Sequence, residues 1–521
     1  MRRRAATVLR PGTAAWACCA LLAAGAVQAQ DVTWTGAGGD DRWSNPDNWA
    51  PTRVPGPGDR AVLAALAGGP YSVTVDAGAQ IGGFELLGVH PHLEPIELAL
   101  SAGVTVSGAT LLRNALLSGS ATFVSGGSLE FAGDVCNDLV DTPLDHTGSI
   151  AQWTGADIHL QGDASITNRG RFEILSAQDM KGDVTARFVN EGVLCKQSPD
   201  MTTISGITFI NNGEVCVTEG TLTIVGFTTG PALEEGAWMV QSTGPSATLD
   251  IDGAVYRRID GAQVTLGGSD SSFPAIDALE LVGPAQGSLF KIRSGKIFDL
   301  PALAVDQSGQ VRIGETATAL STLIVGGPIS NSGSVHIAPG AGMLIVDDHF
   351  VEEEGEFSGS GVQVGNLANN GAVAPGPDEA DSPAQTGLLV IEDGIYRQGE
   401  AGRLIIDIEG PTPGEEYDVL LAPQVDFAGG SAGVLEVRLG GTFLPALGDR
   451  FEVLRYQERR GEFAGYIGLQ GQGVVFRPVY EPQALVLIVA AIECYADCDR
   501  SGELDFFDFL CFQDQFAMGC P

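Results

Sequence analysis

The chain has 521 residues, of which 65 are acidic and 28 basic, giving a formal net charge of −37. A field of that sign repels phosphate backbones and anionic headgroups, which makes nucleic acid and direct membrane binding poor candidates. Glycine, at 71 residues, is about twice its usual share of ~7%. A 3.6-residue apolar period is scarce before the extreme C-terminus, so the expected class is all-β.

The first segment reads as a secretory leader. Arg2, Arg3, Arg4 and Arg10 precede an apolar run over 14–27, and Val27-Gln28-Ala29 supplies small residues at −3 and −1 of a signal-peptidase site. The run is shorter than the ~20 residues of a spanning helix. Residues 1–29 are therefore expected to be a signal peptide, and the mature protein to be secreted or on the cell surface. Without the four leader arginines, 24 basic residues face 65 acidic ones. No other segment qualifies as a membrane span, because the longest apolar run, 484–492, has strand length.

Residues 30–90 carry a tryptophan cluster among turn signals: Trp34-Thr35-Gly36, Trp43-Ser44, Asn48-Trp49 and Pro55-Gly56-Pro57-Gly58-Asp59. The segment is similar to the opening of many secreted β-repeat proteins, which implies a cap over the first coil of a solenoid. An aromatic platform for sugar stacking is the alternative.

Short β-branched runs punctuated by Gly, Asn, Asp and Ser follow, as in Thr221-Leu222-Thr223-Ile224-Val225. Alternation on a period of two reads as strands. Over 91–366 a repeat appears: an apolar residue, Asn-x-Gly, then a further apolar pair. Its examples are centred on Asn168-Arg169-Gly170, Asn190-Glu191-Gly192, Asn211-Asn212-Gly213 and Asn331-Ser332-Gly333, with Asn369-Asn370-Gly371 beyond. The first steps are 22 and 21 residues, and the last, 38, is near twice that. Asn and Gly tolerate positive φ, so the motif suggests a bend. One bend per coil predicts a parallel β-helix with Asn168, Asn190 and Asn211 stacked at one corner. An antiparallel sandwich, or several small β domains, is the alternative. The motif fades between Gly213 and Asn331, where insertions or degenerate coils are expected. Cys195 and Cys216 each lie three residues past a repeat glycine, which puts them one strand spacing (~4.8 Å) apart, bridged or touching.

Over 367–490 a succession of motifs stands out: Asn369 to Gly376, Gly387 to Ile391, Tyr396-Arg397-Gln398, Gly402 to Ile408, Tyr417 to Leu420 and Gly448 to Leu454. It resembles the last coils of autotransporter-type passenger β-helices and related secreted bacterial surface proteins. No outer-membrane barrel follows, so self-transport is not implied.

Outside the leader there are seven cysteines: Cys136, Cys195, Cys216, Cys494, Cys498, Cys511 and Cys520. Oxidation to disulfides is expected in an exported chain, and an odd total leaves a thiol over, with Cys136 the natural candidate. Four of the seven fall within 494–521, where a small module benefits from staples.

That module carries the sharpest chemistry. An EF-hand loop offers oxygens at positions 1, 3, 5, 7, 9 and 12, with Gly at 6. Those positions hold Asp497, Asp499, Ser501, Glu503 (through its carbonyl), Asp505 and Asp508, with Gly502 at the turn. The expected ion is calcium. Position 12 is Asp instead of Glu, and Phe509, Phe512 and Phe516 follow at helical spacing before Gly519-Cys520. This resembles single-loop, Gly-Cys-terminated dockerin-like modules. The resemblance implies attachment to a cohesin-like protein receptor or another cell-surface component.

Catalytic candidates are thin. Asp347-Asp348-His349, Asp250 with Asp252, and His90-Pro91-His92 read as strand edges, turns and loops. No nucleophile motif, phosphate loop or zinc spacing appears, so no catalytic or organic-cofactor residues are assigned. The expected function is a structural or adhesive surface protein. The alternative is a polysaccharide-binding or polysaccharide-degrading β-helix, and a groove lined by three or more carboxylates and basic residues from neighbouring coils would reverse that ranking.

Overall fold

The computed structural model describes residues 30–226, 232–315, 319–376, 386–440, 442–471, 474–491 and 506–517. The leader and residues 492–505 lie outside that range, and so do all the expected calcium ligands except Asp508. Among the described residues no helix is long and apolar enough to cross a membrane.

The strands follow the alternation in the sequence. Asp59–Ala64 and Ile96–Leu100 each bury every second side chain. One face of such a strand must be covered, and the neighbouring coils cover it by stacking in parallel register. Three faces result, each an inter-coil ladder. On the first, Leu63 pairs with Leu86, Leu86 with Leu112, Leu112 with Phe131, Phe131 with Trp153 and Trp153 with Ile174. These side chains are buried in one continuous apolar core. The expected parallel β-helix is therefore the fold. Its pairing already begins at Gln30–Trp34 against Asp59–Ala64, inside the segment read as a cap.

Both ends of the core are closed. Trp34, Trp43 and Trp49 are each no more than 2% exposed. Their rings meet edge to face at 5.0 and 4.7 Å, and Trp49 Nε1 donates to the Trp43 carbonyl (2.9 Å). With those ring faces spent on one another, the cluster leaves no exposed sugar platform. At the other end, Ala484–Ala491 pairs antiparallel with both Arg450–Arg455 and Val474–Tyr480. This hairpin continues the sheet edge of the last coil.

The predicted corner exists. Asn168 pairs with Asn190, and Asn190 with Asn211, at the end of the third face. The reason differs from the expected one, because none of these residues, nor Gly170, Gly192 and Gly213, has positive φ. The asparagines point inward and are nearly fully buried. Asn168 Nδ2 donates to Asn190 Oδ1 (2.9 Å) and Asn190 Nδ2 to Asn211 Oδ1 (2.8 Å). Each amide also donates to a backbone carbonyl one coil on: Val193, Glu214 and Ala237 at 3.1, 2.9 and 3.3 Å. Glycine is needed for closeness of approach, since a Cβ on Gly192 would overlap the Gly170 carbonyl and one on Gly213 the Gly192 carbonyl.

Where the motif fades, the coils persist. Leu233, Ile259, Val282 and Val305 stack at the corresponding position and hand over to Asn331. An apolar corner does there what the amide ladder does elsewhere.

Cys195 and Cys216 are register partners, with Cα atoms 4.5 Å apart and a disulfide between them. The next inward position on the first face is unexpected. Lys196 sits in the ladder between Ile174 and Val217, fully buried. Its Nζ donates to the carbonyls of Ser198 (2.8 Å) and Ser176 (3.3 Å) and to the Ser198 hydroxyl. Burial pulls its pKa down to about 8.

Candidate metal centre

Two sets of metal-type donors come from this chain. Of the expected calcium ligands, Asp497, Asp499, Ser501, Glu503 and Asp505 lie outside the described residues. Asp508 sits in the first turn of the helix Phe506–Ala517, 4% exposed. Phe506, Phe507, Phe509 and Phe512 of that helix are exposed, and Cys511 is disulfide-bonded.

The second set lies on the outer side of the second face. The strand Cys136–Val140 turns Leu139 into the core, so Cys136 and Asp138 point outward. Asp138 pairs in register with His159 of Asp157–Gln161 on the next coil. The loop after Gly83–Leu87, two coils earlier, folds back over these strands and brings His92 down on them. This cover is why two outward residues are buried, Cys136 at 3% and Asp138 at 1% exposure.

The four side chains converge closely. His92 Nε2 is 3.5 Å from Cys136 Sγ and 3.3 Å from Asp138 Oδ2. His159 Nδ1 is 3.0 Å from Asp138 Oδ1. All four ligating atoms lie within 4.8 Å of one another. Asp138 Oδ1 makes no hydrogen bond despite its burial, because the approach of His159 is close but not aligned. Around the cluster, His90 Nδ1 accepts from the backbone N–H groups of His92 (3.2 Å) and Leu93 (3.3 Å), which shapes the turn that presents His92. Asp157 stands 3.9 Å from the other ring nitrogen of His159 and is anchored by Lys181 (3.2 Å). Burial, with Asp138 and Asp157 adding, pushes the Cys136 thiol up to about 12.

Cys136 is the free cysteine of the described residues, in line with its expectation as the leftover thiol. The reading of His90-Pro91-His92 as an ordinary loop is incomplete, since that loop delivers a donor to a cluster. No local spacing exposes it, because the partners lie 44 or more residues further on, on separate coils. The other candidates stay apart. His349 is buried and bonded to Gln363 (2.9 Å), and its pKa is pulled down to about 4 by burial, while Asp347 and Asp348 face outward. Asp250 and Asp252 flank the buried Ile251 and form no cluster with other donors.

A cleft of about 820 Å³ lies between the last coils and the closing hairpin, lined by Glu392, Asp393, Glu452, Arg455, Tyr456 and Glu481 among others. Glu452 accepts from Arg455 (3.0 Å), and Glu481 from Arg450. No protein family matches this chain, and no curated protein matches its sequence at a significant level.

Proposed function

We propose that this chain is a secreted structural or adhesive β-solenoid, attached to a cohesin-like receptor or another cell-surface component through a calcium-binding C-terminal module. The observation that carries the reading is the filled interior. Apolar side chains from Val32 to Val489 form one continuous core, so the molecule offers its surroundings rigid outer faces instead of an enclosed chamber. The high negative charge suits a protein working among divalent cations. The EF-hand spacing from Asp497 to Asp508 supplies the attachment. The test uses the full oxidised chain added back to cells stripped of surface protein. Calcium should retain it, chelator should release it, and Asp499→Ala should abolish retention. Retention indifferent to calcium overturns the attachment.

A second reading, polysaccharide binding or cleavage, is favoured by the cleft at the C-terminal end. Glu392 and Asp393 come from one coil, Glu452 and Arg455 from the second coil beyond it, and Glu481 from the turn of the closing hairpin, and Glu452 and Glu481 are each engaged by an arginine. A polysaccharide screen on the full chain, with and without calcium, separates the two readings. Binding or cleavage lost in Glu392→Gln or Asp393→Asn supports the second, and no interaction with any glycan removes it.

A further inference from the structure

We infer that His92, Cys136, Asp138 and His159 form a binding site for a zinc-class divalent transition metal, which clips the 88–95 loop onto the side of the solenoid. The donor set carries the chemistry. A thiolate and two imidazoles are poor ligands for calcium or magnesium, which take hard oxygens, and good ones for zinc and its neighbours. Tetrahedral zinc with bonds of ~2.0–2.3 Å holds adjacent ligand atoms ~3.3–3.8 Å apart. His92 Nε2 meets that range against Cys136 Sγ (3.5 Å) and Asp138 Oδ2 (3.3 Å), His159 Nδ1 is 3.0 Å from the other Asp138 oxygen, and all four donors lie within 4.8 Å, so small side-chain shifts would close the set around one ion. Side chains that merely pack, or that pair through a shared proton, do not need four donors turned toward one point.

A second observation points the same way. Asp138 is 1% exposed, yet its Oδ1 makes no hydrogen bond and faces the cluster. A buried carboxylate oxygen left without a hydrogen bond is costly, and coordination to a cation removes that cost. Outer groups also stand where a metal site uses them. Asp157 Oδ2 stands 3.9 Å from the ring nitrogen that His159 would leave free, beyond hydrogen-bond length but placed to become an orienting partner if the ring shifts onto an ion.

With four protein ligands the coordination sphere would be closed, so the role is structural. The loop arises in one coil, passes the strand Leu116–Ser118 of the next, and meets the two coils beyond. An ion there would reinforce the contact that His92 already makes with a coil two steps further along the stack and extend it to His159. Binding would release the Cys136 proton, since the thiolate is the ligand.

The experiment uses the full oxidised chain, freed of metal by chelator and then saturated with calcium so that the C-terminal loop is filled. Cobalt(II) is the probe. The expected result is one cobalt per chain, with the intense visible bands of a tetrahedral site and a near-ultraviolet sulfur-to-cobalt charge-transfer band, both lost on adding zinc. Cys136→Ser should remove the charge-transfer band. His92→Ala, on the outer loop, and the near-isosteric Asp138→Asn should each weaken cobalt and zinc binding by more than about tenfold, at or above what outer-sphere changes alone cost. Circular dichroism of the metal-free variants checks that the coils are intact. Absence of the charge-transfer band in the unaltered protein overturns the proposal. So does its persistence in Cys136→Ser, which would place the thiolate elsewhere. Zinc affinity unchanged in folded His92→Ala and Asp138→Asn overturns it as well.

Discussion

Two stretches of the same stack turn the same corner with opposite chemistry. From Asn168 to Asn211 the corner is a ladder of buried amides bonded to each other and to backbone carbonyls. From Leu233 to Val305 it is a column of aliphatic side chains. The coils continue through both, so the conspicuous repeat is one solution to filling a corner and not the cause of the solenoid. What both stretches share is inward apolar alternation along the strands. Burial is the common driving force, and the amide ladder adds register.

The largest expected effect tests the apolar corner. Ile259→Ala leaves a cavity between Leu233 and Val282 and should cost about 2–5 kcal/mol, read by denaturant unfolding. A loss under about 1 kcal/mol would mean that this corner is loosely packed. In the amide corner, Asn190→Ala strands Asn211 Oδ1 and the Glu214 carbonyl, and should cost about 2–4 kcal/mol. The comparison sharpens when Asn168, Asn190 and Asn211 are all replaced by valine. Removing the partners together leaves fewer orphaned groups, so the triple variant should lose clearly less than the sum of its three single variants. Additive losses would show that each amide works alone.

The Cys195–Cys216 bond closes a loop of 21 residues beside the amide ladder. Replacing both cysteines by serine should cost about 3 kcal/mol by the chain-entropy model. An unchanged midpoint would leave the coil stack as the sole determinant of that register.

Lys196 offers an effect of the opposite sign. Its folded pKa of about 8 is below the unfolded value of about 10.4, so the folded state sheds its proton first. Stability of the unaltered protein should therefore rise as pH climbs from about 8 to 10.4, by at most about 3 kcal/mol at 1.36 kcal/mol per unit. Lys196→Met should be the more stable form at pH 7, with an advantage that shrinks over that interval. Paired unfolding curves at pH 7 and 10 check it, and a constant gap would place the ammonium in contact with water. The smallest expected effect is Gly192→Ala, where a Cβ meets the Gly170 carbonyl and the coils must shift, at about 1–3 kcal/mol.

Much of this fold was legible from residue types alone. The step of 21 or 22 residues placed Asn190 on Asn168 and Cys216 on Cys195, because a coil of constant length returns each residue to its own position. The reason assigned to the motif was less secure. Asn-x-Gly suggests positive φ, whereas here Asn supplies an inward amide and Gly a bare α-carbon. Backbone approach between coils decides that, and no single coil reveals it.

The sequence by itself determined the strand alternation, the period and the in-register pairs, since these repeat a local pattern whose spacing survives in one dimension. Tertiary structure alone decided which outward residues are covered. Cys136, Asp138 and His159 lie on strands whose alternation assigns them to solvent, and His92 belongs to a loop of no fixed length. Only the fold of that loop across two later coils brings four donors to one point. Such a meeting depends on where a connection lies in space, and periodicity carries no record of it.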